Sequence, residues 1–309
     1  MMEILKPVDK VEITVLVDNY IDIFVPPATD VDKRLPFGPS REILAEHGLS
    51  CLVRLFCGEE IHTVLLDAGL SKNCMFSNAE VLGIQLSDIE AVALSHGHFD
   101  HIGGMVEFFR RAGKSIPLVL HPDAFVRRRL NNPIRVPVEL PQLDEAALKD
   151  AGADIRICSN PSSLADDHLL VTGEVERITP FETGMPGMEM YEDGMWVSDP
   201  IRDDQALVIH VRDKGLVVLS GCAHAGIINT IHYSQKITGI STVHAVIGGF
   251  HLTGPAFEPR IMPTIAAMKE IDPDYIVPMH CTGWTAINRF IENIPGKCIL
   301  NTVGTTYVF

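Results

Sequence analysis

The sequence lacks any long apolar run. No stretch of its 309 residues approaches the roughly 20 consecutive apolar residues that a membrane-spanning helix needs, so we expect no membrane partner. Residues 1–7 lack the basic, apolar and small-residue layout of a signal peptide, and we expect a cytoplasmic protein. The composition, 46% hydrophobic and 21% charged, is that of a globular chain with a large core in one or two domains.

Basic residues are scarce, and the spacing of the cysteines shows no paired motif. Lys and Arg number 25 against 40 Asp and Glu, and the formal net charge is −15. An acidic surface repels phosphate backbones, which disfavours nucleic acid as a partner. The seven cysteines form no CxxC pair and are odd in number, which argues against a disulfide framework. The one dense basic cluster, 127–129, is typical of the solvated face of a helix.

The densest group of chemically active residues lies in the segment LSHGHFDHIGG, residues 94–104. An apolar run leads into it and an amphipathic run follows it, which predicts strand, loop and helix. His96 and His98 alternate on an extended segment, so their rings point to the same side, while Asp100 and His101 lie at the turn. Neutral imidazoles and carboxylates together suit zinc, iron or manganese, and the alternative is a solvated polar loop.

Potential ligands recur where predicted strands end. Five apolar runs stop just before Asp67, His96, the pair Cys222 and His224, His251, and His280. Ligands gather at the carboxyl ends of strands in α/β sheets, so these side chains can converge on one cleft. The wider alternation of strand, loop and helix predicts an α/β sandwich with helix-covered sheets.

Two segments interrupt this alternation. Residues 122–152 look helical but are broken by proline at 133, 137 and 141, and we interpret them as a helical insertion within a single domain, 1–309. Residues 183–204 are predicted to form a long loop, and loops of this length are usually functional, so a lid is one interpretation. Trp196 in this loop is a candidate to cover a flat ring; the alternative is a hydrophobic flap on the core.

The HxHxDH pattern at 96–101 resembles the signature of the metallo-β-lactamase superfamily. The resemblance implies an αβ/βα sandwich of two mixed sheets flanked by helices. It implies that His96 and His98 hold one divalent metal and that Asp100 and His101 hold another. A late histidine at a strand end completes the second site in the superfamily, which assigns His280. The expected cofactor is one or two divalent metals, zinc first, with manganese or iron as alternatives.

The chain departs from the superfamily pattern at Gly221-Cys222, where an aspartate that bridges both metals normally follows the glycine. We expect His224 to supply the missing ligand, and Cys222 is either a thiolate ligand or a small buried thiol. Asp203-Asp204 stand where a histidine-rich segment is usual. These departures leave the number of metals open.

Several residues are expected to support the centre rather than to bind metal. The resemblance implies that Asp67 orients the metal-binding loop from behind the ligands. Asp18 and Asn19 end a predicted strand on the same rim, where His47 is a further candidate. His251 is a candidate ligand, acid–base group or substrate contact, and with Asp100 it is expected to handle protons.

Short segments such as GCAHAG and GFHL, at 221–226 and 249–252, narrow the resemblance. They look like the subgroup that includes dihydropterin–ribofuranosylaminobenzene-phosphate synthase of methanopterin biosynthesis. Glu182 also fits this subgroup, without an assigned role.

Three functions follow as hypotheses. They are a metal-dependent hydrolase of small esters or phosphoesters, a pterin-type transferase, and a non-catalytic metal-bound sensor or binding protein. The expected substrate is a small molecule, phosphorylated or pterin-like. The helix start after His224 is expected to offer N–H donors to a phosphate. The sequence does not determine the oligomeric state.

Overall fold

The structure is a computed structural model, and it describes residues 5–35, 38, 42–131 and 136–309. Its strands are β1 Lys10–Val17, β2 Asp32–Lys33, β3 Ser50–Cys57, β4 Glu60–Leu66, β5 Ala91–Ala93, β6 Ile116–Leu120, β7 Arg128–Leu130, β8 Val138–Glu139, β9 Ala153–Ile157, β10 Ser162–Leu164, β11 Leu169–Val171, β12 Met188–Glu192, β13 Met195–Ser198, β14 Ala206–Val211, β15 Gly215–Ser220, β16 Val243–Gly249, β17 Tyr275–Met279 and β18 Thr306–Val308. Its α-helices are α1 Cys74–Leu82, α2 Phe99–Ile102, α3 Met105–Ala112, α4 Glu145–Asp150, α5 Ile227–Thr238, α6 Glu258–Ile271 and α7 Trp284–Asn293.

Two large mixed sheets form the centre of the fold. The first has the order β2-β18-β1-β3-β4-β5-β6-β9, and the second has the order β10-β11-β14-β15-β16-β17. Antiparallel hairpins such as β3–β4 and β14–β15 lead into parallel runs, β4-β5-β6-β9 and β15-β16-β17. The parallel runs carry the helical crossovers, because a parallel connection needs a long return path.

The core lies between the sheets and on their outer faces. Successive residues of a strand point to opposite faces, so Ile13 and Val53 of the first sheet pack against Ile209 and Val217 of the second. Helices α1, α3 and α4 cover the outer face of the first sheet. Helices α5, α6 and α7 cover the outer face of the second. The predicted αβ/βα sandwich is therefore confirmed, and no helix in the described ranges is long and apolar enough to cross a membrane.

A third sheet was not predicted, and it corrects two expectations. Residues 122–152 are not mainly helical: where described, they hold a short 3-10 turn, β7, β8 and only α4 as an α-helix. Residues 183–204 are not an irregular loop, because β12 and β13 form a hairpin. β12 also pairs with β7, so the two segments build one four-stranded sheet in the order β13-β12-β7-β8. The cluster at 127–129 therefore lies partly on a strand, not on a helix.

Candidate metal centre

The HxHxDH segment forms the floor of the site. β5 ends at Ala93, the chain bends at Ser95 and again at Gly97, and α2 begins at Phe99 directly after the extended residue His98. Gly97 is required here, because a Cβ at this position would lie 2.2 Å from the carbonyl oxygen of Ala124. The two histidines that flank Gly97 are buried, as are Asp100 and His101 in the first turn of α2.

Three imidazoles meet at one point. Nε2 of His224 lies 3.2 Å from Nε2 of His96 and 3.1 Å from Nδ1 of His98. Burial, together with the neighbouring positive groups, holds the pKa of all three well below the usual value. Their ring nitrogens are therefore free to act as lone-pair donors at neutral pH. Such a buried set of facing nitrogen atoms suits a divalent cation.

A second group is built from Asp100, His101 and His280. Oδ1 and Oδ2 of Asp100 lie 3.9 Å and 3.4 Å from Nε2 of His101 and His280 respectively. Burial alone would lower the pKa of His101, but Asp67 and Asp100 raise it to about 9. The two carboxylates thus give this pocket a preference for positive charge, which a bound cation would satisfy. The half-exposed His47 adds a ring nitrogen 3.4 Å from Asp100, on the outer rim.

Cys222 lies between the two groups. Its Sγ is 3.2 Å from Nε2 of His101, and the side chain is almost fully buried. The sulfur also falls within ligand spacing of His224 and His251 on one side and of His280 and Cys281 on the other. The departure from aspartate therefore still presents a potential ligand atom at the middle of the centre.

Asp67 and Ser95 hold His101 in place. Oδ1 of Asp67 accepts a hydrogen bond from the Ser95 backbone N–H at 2.7 Å, and Oδ2 lies 2.6 Å from Nδ1 of His101. The Ser95 hydroxyl donates to the same Oδ2 at 2.7 Å. With Nδ1 engaged, His101 presents Nε2 to the centre, which is the support expected from Asp67.

Asp18 and Asn19 anchor His280 at the end of β17. Asp18 accepts from the His280 backbone N–H at 2.9 Å and from Asn301 at 2.7 Å. Oδ1 of Asn19 lies 3.2 Å from Nδ1 of His280, and the amide of Asn19 donates to the His280 carbonyl. These contacts direct Nε2 of His280 towards Asp100.

The residues after four strands share one backbone conformation. Asp67 after β4, Ala223 near the end of β15, His251 after β16 and His280 after β17 have φ of 59°, 53°, 41° and 53°. This left-handed region is uncommon for residues other than glycine. At each position the chain turns sharply off the sheet, so side chains near the strand ends face one cleft.

His251 extends the cleft beyond the imidazole group. Its ring centroid lies 4.2 Å from that of His224 and 4.7 Å from that of Phe257. Its Nδ1 is buried and has no hydrogen-bond partner among the described residues. This nitrogen is therefore available to a ligand or to a proton.

Two predicted site residues have other contacts. Glu182 accepts from the backbone N–H groups of Ile228 and Asn229 at 2.9 Å and 2.8 Å, so it caps α5. This contact corrects the expectation that the helix start offers free donors to a phosphate. Trp196 packs against Tyr191, Arg127 and Arg129 in the third sheet, and its ring makes no described contact with the metal-ligand candidates.

Sequence reasoning did not assign roles to several residues behind the loop. Asp203 accepts from the Gly97 N–H at 2.7 Å and from Arg128 at 2.6 Å, and Arg128 also donates to Asp199. Asp204 accepts from the Ala225 N–H at 2.8 Å, and its burial raises its pKa to about 6. The available sequence signal was the position of Asp203 and Asp204 directly before a predicted strand. It did not identify their partners, which are distant in sequence.

Comparison with known proteins decides the family. A family model described as the metallo-β-lactamase superfamily matches residues 49–221, which contain the HxHxDH segment and end one residue before Cys222. This chain belongs to the metallo-β-lactamase superfamily. Proteins of this superfamily bind divalent metals, and the two groups above supply candidate ligands for them.

Within the superfamily, two curated proteins of Methanocaldococcus jannaschii are similar to this chain. One is 7,8-dihydropterin-6-methyl-4-(β-D-ribofuranosyl)-aminobenzene-5′-phosphate synthase, 33% identical over 252 residues, which cover 80% of this chain and 85% of that protein. The other is an uncharacterised protein, 30% identical over 266 residues, which cover 84% and 95%. Among solved structures, a metal-dependent hydrolase of the β-lactamase superfamily superposes with a TM-score of 0.74 at 23% identity, covering 96% of this chain and 98% of that one.

Proposed function

We propose that this protein is a two-metal enzyme. His96, His98 and His224 would hold one divalent ion, and Asp100, His101 and His280 would hold the other. The observation that carries the proposal is the convergence of these six buried side chains, from three separate segments of the chain, on one cleft. Zinc is the first candidate for such a nitrogen-rich donor set, and manganese or iron are alternatives.

The reaction we propose is hydrolysis of a small ester or phosphoester. Divalent ions supply Lewis-acid activation of water and of the attacked carbonyl or phosphoryl group. The protein's own residues orient and protect the centre: Asp67 fixes the ring of His101, and Asn19 fixes the ring of His280. We assign proton transfer to His251, whose Nδ1 is unpaired among the described residues, with Asp100 as the alternative.

A transferase is the second candidate. It is supported by the 33% identity to a synthase over most of both chains. In this function the same ligands would bind the metals that hold a diphosphate leaving group, and an aromatic amine would take the place of water.

The test begins with purified protein, metal analysis, and turnover of aryl phosphodiesters, thioesters and lactones with and without added zinc or manganese. We expect metal-dependent hydrolysis that is lost in the double variant His98→Ala, His101→Ala. The control is His62→Ala, because His62 lies near the opposite end of β4 and pairs with Glu90. Unchanged hydrolysis in the double variant would refute the two-metal mechanism.

A second assay separates the candidates. The protein is incubated with a pterin-methyl diphosphate, with and without a ribosylated aromatic amine phosphate. Amine-dependent product formation supports the transferase, and release of diphosphate without amine supports the hydrolase. Metal binding with neither reaction would support a sensor or binding protein.

A further inference from the structure

A cleft leads away from the imidazole group on the side of α6. Its walls include His224 and His251 at the inner end and Phe257 and Arg260 farther out. The ring of Phe257 lies 4.7 Å from the ring of His251, and the guanidinium carbon of Arg260 lies 4.8 Å from the Phe257 ring. A continuous line of contacts therefore joins the proposed metal ligands to a positively charged side chain.

Partly buried Arg260 differs from Arg128, the fully buried arginine near the site. Arg128 is neutralised by Asp199 and Asp203, at 2.7 Å and 2.6 Å. Arg260 instead donates to the carbonyl of Gly184 and the hydroxyl of Thr183, and no carboxylate oxygen of the described residues lies within ion-pair distance of it. Partial burial lowers the pKa of Arg260, and the attraction of the Glu182 carboxylate offsets only part of this effect.

Among the described residues, the one carboxylate that lines the cleft, Glu182, is already engaged. Glu182 accepts hydrogen bonds from the N–H groups of Ile228 and Asn229 and from the hydroxyl of Thr179. Its charge is therefore balanced by the amino end of α5. Glu182 attracts Arg260 electrostatically but makes no direct ion pair with it, so Arg260 is a cation without a directly paired anion among the described residues, in a protein whose net charge is −15.

We infer that Arg260 and the Phe257 side of this cleft form a subsite for an oxyanionic group, phosphate or carboxylate, on the part of the substrate that points away from the metals. A guanidinium binds such a group with two parallel hydrogen bonds, and the adjacent aromatic ring packs against the carbon atoms next to it. The inference rests on the proposed function, because it assigns the substrate class to the same site.

The first experiment measures binding directly. Inorganic phosphate and acetate are titrated into the metal-loaded protein by calorimetry, for wild type, Arg260→Gln and Arg260→Lys. We expect Arg260→Gln to weaken the binding of the preferred anion about tenfold or more, since it removes a charge-assisted pair, and Arg260→Lys to lie between. The preferred anion, phosphate or acetate, identifies the group. Arg289→Gln is the matched control, because Arg289 is exposed on α7 and pairs with Glu292.

A kinetic experiment separates this subsite from the metal chemistry. With an anionic ester, Arg260→Gln should raise KM with little change in kcat, and with a neutral ester both constants should stay as in wild type. Anion binding within twofold of wild type in a folded Arg260→Gln protein would overturn the inference. If that variant fails to fold, equal anion binding and equal KM in Arg260→Lys and wild type would overturn it. Lost anion binding in a protein without turnover would support the subsite and contradict the enzyme.

Discussion

The carboxylate of Asp67 determines which ring nitrogen of His101 faces the candidate metal centre. Asp67 lies 2.6 Å from Nδ1 and is itself fixed by two hydrogen bonds from Ser95. When a cation displaces the proton from Nε2, the ring keeps its other proton on Nδ1, so the lone pair that becomes available is on Nε2, which faces Asp100 and Cys222. The chemistry of the proposed ligand therefore depends on a residue that lies behind it.

Asp67→Asn should weaken metal binding without unfolding the protein. Asparagine matches the shape and tolerates the left-handed φ of 59°, but its amide turns Nδ1 of His101 into an acceptor and moves the proton to Nε2. We expect the affinity of the second metal to fall roughly 10- to 100-fold, measured by competition with a chelating dye. Asp9→Asn, an exposed change far along the first sheet, should leave affinity unchanged. Two tightly bound metals in Asp67→Asn would contradict the assignment.

Glu182 should matter for stability and not for metal content. It caps α5, so Glu182→Ala should lower the free energy of unfolding by about 0.5–2 kcal/mol in urea denaturation. Glu176→Ala is the control, because Glu176 makes an exposed ion pair with Lys236 of α5, and exposed pairs contribute little to stability. A large fall in metal stoichiometry in Glu182→Ala would show that Glu182 does more than cap the helix.

The residues that the sequence predicted best are those whose partners are close along the chain. His96, His98, Asp100 and His101 stand in one short segment, and the local pattern predicts both their positions and their orientation. Arg260 stood in no motif, because its contacts depend on how α6 packs beside residues 183–184. Long-range packing of this kind leaves no local pattern in one sequence.

At the level of elements, the third sheet connects remote segments to the floor of the site. Arg128 on β7 donates to Asp199, just after β13, and to Asp203, which in turn accepts from the Gly97 N–H. The hairpin β12–β13 is paired with β7, so it shares this network. The network orients the backbone between the first two histidines.

Arg128→Met should be strongly destabilising. It leaves two buried carboxylates without a counter-charge, for which we expect a loss of about 3–5 kcal/mol in the free energy of unfolding by urea. The matched control is the neighbouring Arg129→Met, since Arg129 makes a partly exposed pair with Glu189 and its loss should cost much less stability than the loss of Arg128. Equal effects of the two variants would show that the buried network is not required.

Sequence patterns predicted strands and helices of the two main sheets but not the third sheet. The long strands of the main sheets, such as β14 and β15, are apolar runs that end before glycine or polar residues, a strong local signal, whereas the short polar strands β2 and β10 lack it. β7 and β8 are two or three residues long and polar, and β12 carries only two buried side chains. Their pairing is stabilised by contacts between segments about 60 residues apart, such as Arg129 with Glu189, which no window of sequence contains.

At the scale of the whole molecule, the two sheets bring together the strand ends that precede the candidate metal ligands. His96 follows a strand of the first sheet, while His224, His251 and His280 follow strands of the second. A cation bound between them would link the two halves of the sandwich. Its binding free energy would then be part of the folding free energy.

Metal removal should therefore lower the stability of the whole chain. Metal at about 100 times its dissociation constant adds about 2.7 kcal/mol to the folded state, so the Tm of chelated protein should rise when zinc or manganese is restored. The double variant His98→Ala, His101→Ala should show little response, and His62→Ala should respond like wild type. A Tm that is independent of metal would indicate that no ion joins the two sheets.

The four residues with left-handed backbone conformation near the strand ends limit where the protein can gain stability by mutation. Each such turn costs of order 1–3 kcal/mol, and Asp67, Ala223, His251 and His280 all adopt one beside the same cleft. Glycine at these positions would remove the backbone strain, but it would also make the segments that carry the candidate ligands more flexible. The backbone strain at these four residues therefore lies beside the candidate metal ligands, and we expect substitutions that raise thermal stability without weakening metal binding to lie in the helices that cover the sheets.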